Sequence, residues 1–208
     1  MEHLHTLTSL FDPSRIAFVS GPSPAPEWVE ELGRKLGESK AQVRRIVLAP
    51  RAESATEGAR APDHGIGVDL AVLAVDSAHV LDALREAIVL GARAAMLLCQ
   101  TPPPAVTEPL LAMAREARVR LLGPGSLGFA RPPRRLDAGR LGALPPPGNV
   151  ALVSQSGVLG GAILDWAGDT AIGFSLAVSL GAELDIDVAQ VLDFLANDPS
   201  PKAVVVYL

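Results

Sequence analysis

The sequence predicts an α/β protein made of two successive units with parallel sheets. Three observations predict it. Short β-branched runs alternate with helical patterns, the signature of βαβ units. Of the 208 residues 49% are hydrophobic but only 4% aromatic, so the core must be drawn from Ala, Val, Leu and Ile, as in parallel strands buried on both faces. A Pro/Gly/Arg-rich stretch without apolar periodicity, residues 131–148, splits the alternating pattern and reads as a linker. The expected units are therefore residues 1–130 and 149–208.

Five strands are expected before the linker: residues 15–20, 43–49, 68–75, 94–99 and 119–122. Helical patterns separate them. Residues 27–36 carry Trp28, Leu32 and Leu36 at spacing four, and Pro26 suits the start of that helix. Ser77 is placed to cap the next, with Val80, Leu81, Leu84 and Ile88 on one face and Gly91 just past its end. Thr107 is placed to cap a third, with Leu110, Leu111 and Ala114 inward. Residues 51–67 are polar, small and aperiodic, and read as a loop.

After the linker the pattern restarts: strands over 149–154, 172–179 and 202–208, helices over 157–167 and after an Asp187 cap, with Asp198-Pro199 as a stop. The last strand is almost wholly apolar, as a central strand would be, and three strands with two helices make half of a doubly wound domain. A longer parent polypeptide is expected on that ground.

Charge and cysteine usage remove other classes. The net charge is −5 and no basic stripe exists, so a generic nucleic-acid binder is excluded. The densest basic cluster, Arg131, Arg134 and Arg135, reads as a solvated loop. Polar residues and prolines interrupt every apolar run well short of about 18 residues, so no transmembrane helix is expected. Met1-Glu2-His3-Leu4-His5 does not fit a signal peptide. The lone Cys99 excludes a disulfide framework and a cysteine-rich zinc site, and makes a reducing cytoplasm the expected compartment.

Three turns carry chemistry. Gly21, directly after the first strand, lets a ligand approach the backbone. Prolines at 22, 24 and 26 remove amide donors, however, and the G-x-G-x-x-G fingerprint is absent. Gly123-Pro124-Gly125-Ser126-Leu127-Gly128 leaves the fifth strand where ligands bind in such folds, and reads equally as a flexible connection. Ser154-Gln155-Ser156-Gly157 brings two hydroxyls and free amides to a helix N-terminus, which suits phosphate binding and suits ordinary N-capping equally well. The acidic group Glu183, Asp185, Asp187 and Asp193 fits capping and solvation better than metal binding. Of the histidines, His3, His5, His64 and His79, none presents itself as a general base; His79 lies three residues from Asp76.

In order along the chain, these segments resemble the ADP-forming acyl-CoA synthetases, relatives of the succinyl-CoA synthetase α-subunit. The matching strings are residues 10–23, Val68 to Val72, Arg120 to Pro124 and Gly148 to Gly157, continuing through Ile172 to Ser175, Ser179 to Gly181, Asp185 to Asp187, Asn197 to Pro199 and Lys202-Ala203. The same modules are similar to the N-terminal part of large bacterial protein lysine acetyltransferases that end in a GNAT domain. The resemblance implies a Rossmann-like CoA-binding domain followed by part of a flavodoxin-like domain. CoA or acetyl-CoA would lie over Gly21, Ser23, Val75, Gly123 and Pro124. Ser154, Ser156 and Gly157 would hold the phosphate of a phosphohistidine. That histidine and the ATP/ADP-binding module are expected in other parts of the polypeptide, which are also the expected partners, with a homo-oligomer as a further one.

Three positions depart from the family pattern: Gly125 stands for its asparagine, prolines fill the first turn, and Asp76 stands for a proline, bringing negative charge toward an anionic ligand. The expectation is a CoA or acyl-CoA module with a regulatory role in an acetyltransferase-type parent. The alternatives are a piece of a working ligase and a ligand-free assembly module.

Overall fold

The computed structural model describes residues 5–21, 25–48, 67–170 and 172–208. The first sheet comprises β1 (Arg15–Ser20), β2 (Gln42–Val47), β3 (Leu70–Ala74), β4 (Ala94–Leu97) and β5 (Arg120–Leu122). Its order is β2-β1-β3-β4-β5, and every neighbouring pair is parallel. All residues of β3 and β4 are buried, which is why these runs are continuously apolar.

Helices α2 (Glu27–Gly37), α3 (Val80–Val89) and α4 (Pro104–Ala117) connect the strands. Helix α2 buries Val29, Leu32 and Leu36, and its first-turn Glu27 and Glu30 and last-turn Arg34 and Lys35 oppose the helix dipole. Two caps differ from the sequence expectation. Helix α3 starts at Val80 with His79 at its N-cap and no side-chain cap, not with a Ser77 cap; in the turn before it the Asp76 carboxylate accepts the amides of Ala78 and His79 as an Asx turn. Helix α4 opens one turn early, on Pro103-Pro104, which preset a helical φ; Thr107 lies inside it with its hydroxyl on the carbonyls of Pro103 and Pro104.

The second sheet comprises β6 (Gly128–Arg131), β7 (Leu136–Gly139), β8 (Pro147–Ser154), β9 (Phe174–Ser179) and β10 (Ala203–Tyr207), with helices α5 (Gly157–Asp169) and α6 (Val188–Ala196). Its order is β10-β8-β9-β6-β7. Strands β10, β8 and β9 are parallel, while β6 runs antiparallel to both β9 and β7. The sheet is therefore mixed. The stretch expected as a linker, residues 131–148, contributes to it: β6 and β7 form a buried hairpin closed by the 3₁₀ turn Pro132–Arg134. Two four-residue strands are too short to show a period of two, and prolines beside them mimic a loop. Nor is Arg131 solvated. It is buried, Nη1 lies 2.8 Å from Asp198 Oδ2, and the guanidinium stands 5.8 Å from the Phe194 ring. Strand β10 is an edge among the described strands, and its apolar residues are exposed, Val205 at 46%.

One core runs through both sheets. The short helix α1 (Thr8–Phe11), which the sequence did not signal, buries Leu10 and Phe11. The Phe11 ring lies 5.3 Å from that of Phe129 on β6 and 5.0 Å from that of Phe194 on α6. The N-terminal segment thus fastens the two sheets together.

Candidate functional site

In the first sheet the chain runs from β1 outward to β2, then returns to lay β3 on the other side of β1. The carboxyl ends of β1 and β3 are therefore the topological switch point, where open parallel sheets take ligands. Gly21 follows β1 there. A Cβ built on it would meet nothing within 4 Å among the described residues, so these leave the strand end open. Val75 follows β3 and is buried, so it offers backbone rather than side chain. Ser23, with Pro22 and Pro24, lies outside the described residues, as do His3, His64 and most of the loop expected over 51–67.

Beside Val75, Asp76 accepts a 2.7 Å hydrogen bond from His79 Nδ1. That bond, aided by the backbone amides, holds its carboxyl below the ordinary range against the effect of burial. Asp76 is 68% exposed and stays anionic, so the negative charge expected from the sequence stands at the switch point, with an imidazole against it.

The β5 exit loop is held on both sides. Gly123 has φ +92°, and a Cβ there would stand 2.7 Å from the Leu97 carbonyl, so glycine is required. The Gly125 amide donates to the Cys99 carbonyl. Toward the second sheet, Ala182 N donates to Pro124 O, Ser126 Oγ donates to Ser179 O, and Ser179 Oγ accepts from Leu127 N. A Cβ on Gly181 would collide with the Pro124 carbonyl. The loop is a fixed joint, not a flexible connection.

The Ser154–Gly157 turn abuts the same joint, since a Cβ on Gly157 would collide with Leu127. Ser156 is the N-cap of α5, its Oγ accepting from Leu159 N. Ser154 is fully buried and donates to Ser156 O at 2.7 Å. The capping role is thus filled, while the first-turn amides of α5 remain donors by position.

The structure therefore brings Gly123 and Pro124 against the Ser154–Gly157 turn through Leu127 and residues 179–182. Gly21 sits three strand spacings, about 14 Å, along the same edge. The acidic group disperses: Asp185 takes Arg120 Nε at 2.9 Å and Leu121 N at 2.8 Å, Asp187 forms a capping box with Gln190, Glu183 accepts from Gln155 and Val188 N, and Asp193 pairs with His5. No cluster of three such groups suited to a metal exists among the described residues. The Arg120–Asp185 bond joining the two units was not read from the sequence, although both residues stood in matched strings; a pairing 65 residues apart leaves no local pattern.

A switch-point edge with an open glycine, joined to a helix N-terminus on a second sheet, defines an α/β ligand-binding protein. Comparison with known proteins makes this specific. Residues 19–132 match the CoA binding domain model, and residues 147–208 match the succinyl-CoA ligase like flavodoxin domain. The chain belongs to the CoA-binding domain family of the ADP-forming acyl-CoA synthetases. It is 34% identical over 149 residues to acetate–CoA ligase (ADP-forming) I subunit alpha of Pyrococcus furiosus, a match covering 68% of this chain and 32% of that protein. It is 32% identical over 145 residues to acetate–CoA ligase (ADP-forming) of Methanocaldococcus jannaschii, covering 68% of this chain and 21% of that protein. The solved acetyl-coenzyme A synthetase 1 of Ca. Korarchaeum cryptofilum, crystallised with phosphate and ADP, superposes with a TM-score of 0.82 at 31% identity, covering 97% of this chain and 45% of that one. The chain thus spans about a third or less of those curated relatives. No helix among the described residues is long and apolar enough to cross a membrane.

Proposed function

We propose that this chain is a CoA or acyl-CoA binding module, with the ligand laid along the carboxyl edge of the first sheet. Gly21, Ser23 and Val75 would take one end of it, and Gly123 and Pro124 would carry the other toward the second sheet. Ser154, Ser156 and Gly157 would present α5 amides to a phosphoryl group arriving at that joint. The observation that carries the reading is the free space above Gly21 at the switch point, on a chain whose residues 19–132 match the CoA-binding family. In an acetyltransferase-type parent the module would be regulatory, sensing CoA without transferring the acyl group itself. Asp76 supports that role, since a carboxylate at the switch point lowers affinity for an anion and leaves occupancy responsive to concentration.

Gly21→Leu tests the site. A Cβ there meets nothing within 4 Å among the described residues, so the substitution adds bulk to the ligand space, and a thermal melt checks that the fold persists. Calorimetry with CoA and acetyl-CoA should show binding by the wild type and at least a roughly tenfold loss in the variant. Absence of heat with the wild type, or equal affinity in the variant, refutes the proposal. The ligase names of the relatives favour a second reading, a part of a working ADP-forming ligase. Formation of ATP from ADP, phosphate and acetyl-CoA by the parent polypeptide would decide for it.

A further inference from the structure

The opposite end of the first sheet holds a second candidate site. A cavity of about 380 Å³ opens between the start of β1, the turn entering β2 and the β6–β7 hairpin. Its volume falls in the small-molecule range. Its wall is strongly biased in charge: Arg15, Lys40 and Arg134 face the single carboxylate of Asp12, on a chain whose net charge is −5.

The local backbone donors are already used. The amides of Ser14 and Arg15 both donate to Asp69 Oδ2, the Gln42 amide to the Ser14 carbonyl, and the Ala41 amide to Ser39 Oγ. Arg134 is paired with Asp12. Neither the Arg15 guanidinium nor the Lys40 ammonium has a hydrogen-bond or ion-pair partner among the described residues. Both cations line one concavity, and an anion placed between them would gain charge-assisted hydrogen bonds from each.

We propose that this cleft binds a small molecule carrying phosphoryl or carboxylate oxyanions, with Arg15 and Lys40 as its principal ligands and Arg134 contributing from the second sheet. The site lies at the amino ends of the strands, remote from the carboxyl edge assigned to CoA, so it stands or falls independently of that assignment. An occupant would touch both units and stabilise their junction.

Calorimetry with pyrophosphate and with citrate, on the wild type, on the Arg15→Gln/Lys40→Gln double variant and on Gly21→Leu, tests the proposal. Binding of either probe by the wild type and by Gly21→Leu, weakened at least about tenfold in the double variant, is the expected result. Pyrophosphate alone binding assigns the site to phosphoryl ligands, citrate alone to carboxylates. Equal binding by the double variant places the anion elsewhere and overturns the proposal, as does absence of binding up to about 10 mM. Thermal melts of the unliganded variants guard against misfolding, and the single variant Lys40→Gln, changing one exposed side chain, repeats the test if the double variant melts early.

Discussion

Cys99 shows how a residue's chemistry follows from its place in the fold. It ends the run after β4, is buried, and lies under the exit loop, with its carbonyl accepting from Gly125 N. Burial, with the nearby Asp76 charge adding to it, pushes the thiol up to about 11. At pH 8 only about a thousandth of it is thiolate. A disulfide reagent should therefore leave the native protein almost unlabelled over minutes at pH 8 and titrate one thiol in denaturant. Prompt labelling of the native protein would show that the loop opens. The sequence excluded a disulfide framework from this lone cysteine, but not its inertness. That property depends on a loop 24 residues further along folding over it.

At the scale of the element, two helix ends make a controlled pair. Helix α3 closes with Gly91 at φ +74°, Gly91 N donating to Ile88 O and Ala92 N to Ala87 O. Helix α4 closes in the same pattern, Arg118 N donating to Arg115 O and Val119 N to Ala114 O, but an arginine holds the left-handed position at φ 57°. A non-glycine residue there costs about 1 kcal/mol. Arg118→Gly should raise stability by about 0.5–1 kcal/mol and Gly91→Arg should lower it by a similar amount or more, both read by urea denaturation. Unchanged stability in both would show that the αL cost is absorbed elsewhere. The contrast also marks what was legible. Gly91 announced its helix end, whereas Arg118 gave no signal. The Asp187 cap was read correctly and Ser77 wrongly, because α3 starts at Val80 without a side-chain cap while Asp76 holds the turn before it. The β6–β7 hairpin was hidden in four-residue strands beside prolines, and its reality is plain only when Ser179 and β9 are set against it.

For the whole molecule, the fold depends on pairs that no sequence window contains, and two of them, one across the two sheets and one within the second unit, titrate in opposite directions. Asp137 on β7 lies 3.0 Å from Lys35 on α2. Burial raises its carboxyl pKa, and the Lys35 bond and charge offset this only in part. Its folded value lies above the unfolded one, so the native state binds the proton more tightly. Its contribution is fully present below the ordinary carboxylate pKa and is lost as pH rises through the folded value. Asp198, also buried, is shifted the other way. Burial raises it, but Arg131 and Ser200 together outweigh burial and lower it, so its contribution is present at neutral pH and is lost as acid protonates it. Asparagine imitates a carboxyl held neutral. Asp137→Asn should therefore gain stability relative to the wild type as the pH rises from about 4 to 7. Asp198→Asn should be destabilising at pH 7 by roughly 3 kcal/mol, as expected when one partner of a buried pair is removed, with the gap closing in acid. Urea denaturation at both pH values reads both variants. Parallel rather than opposed pH trends would mean that the two carboxyls are not shifted in opposite directions. The alternation of elements made the two sheets visible in the sequence. What holds them together was not, because Lys35 and Asp137, or Arg120 and Asp185, are brought together only by the fold.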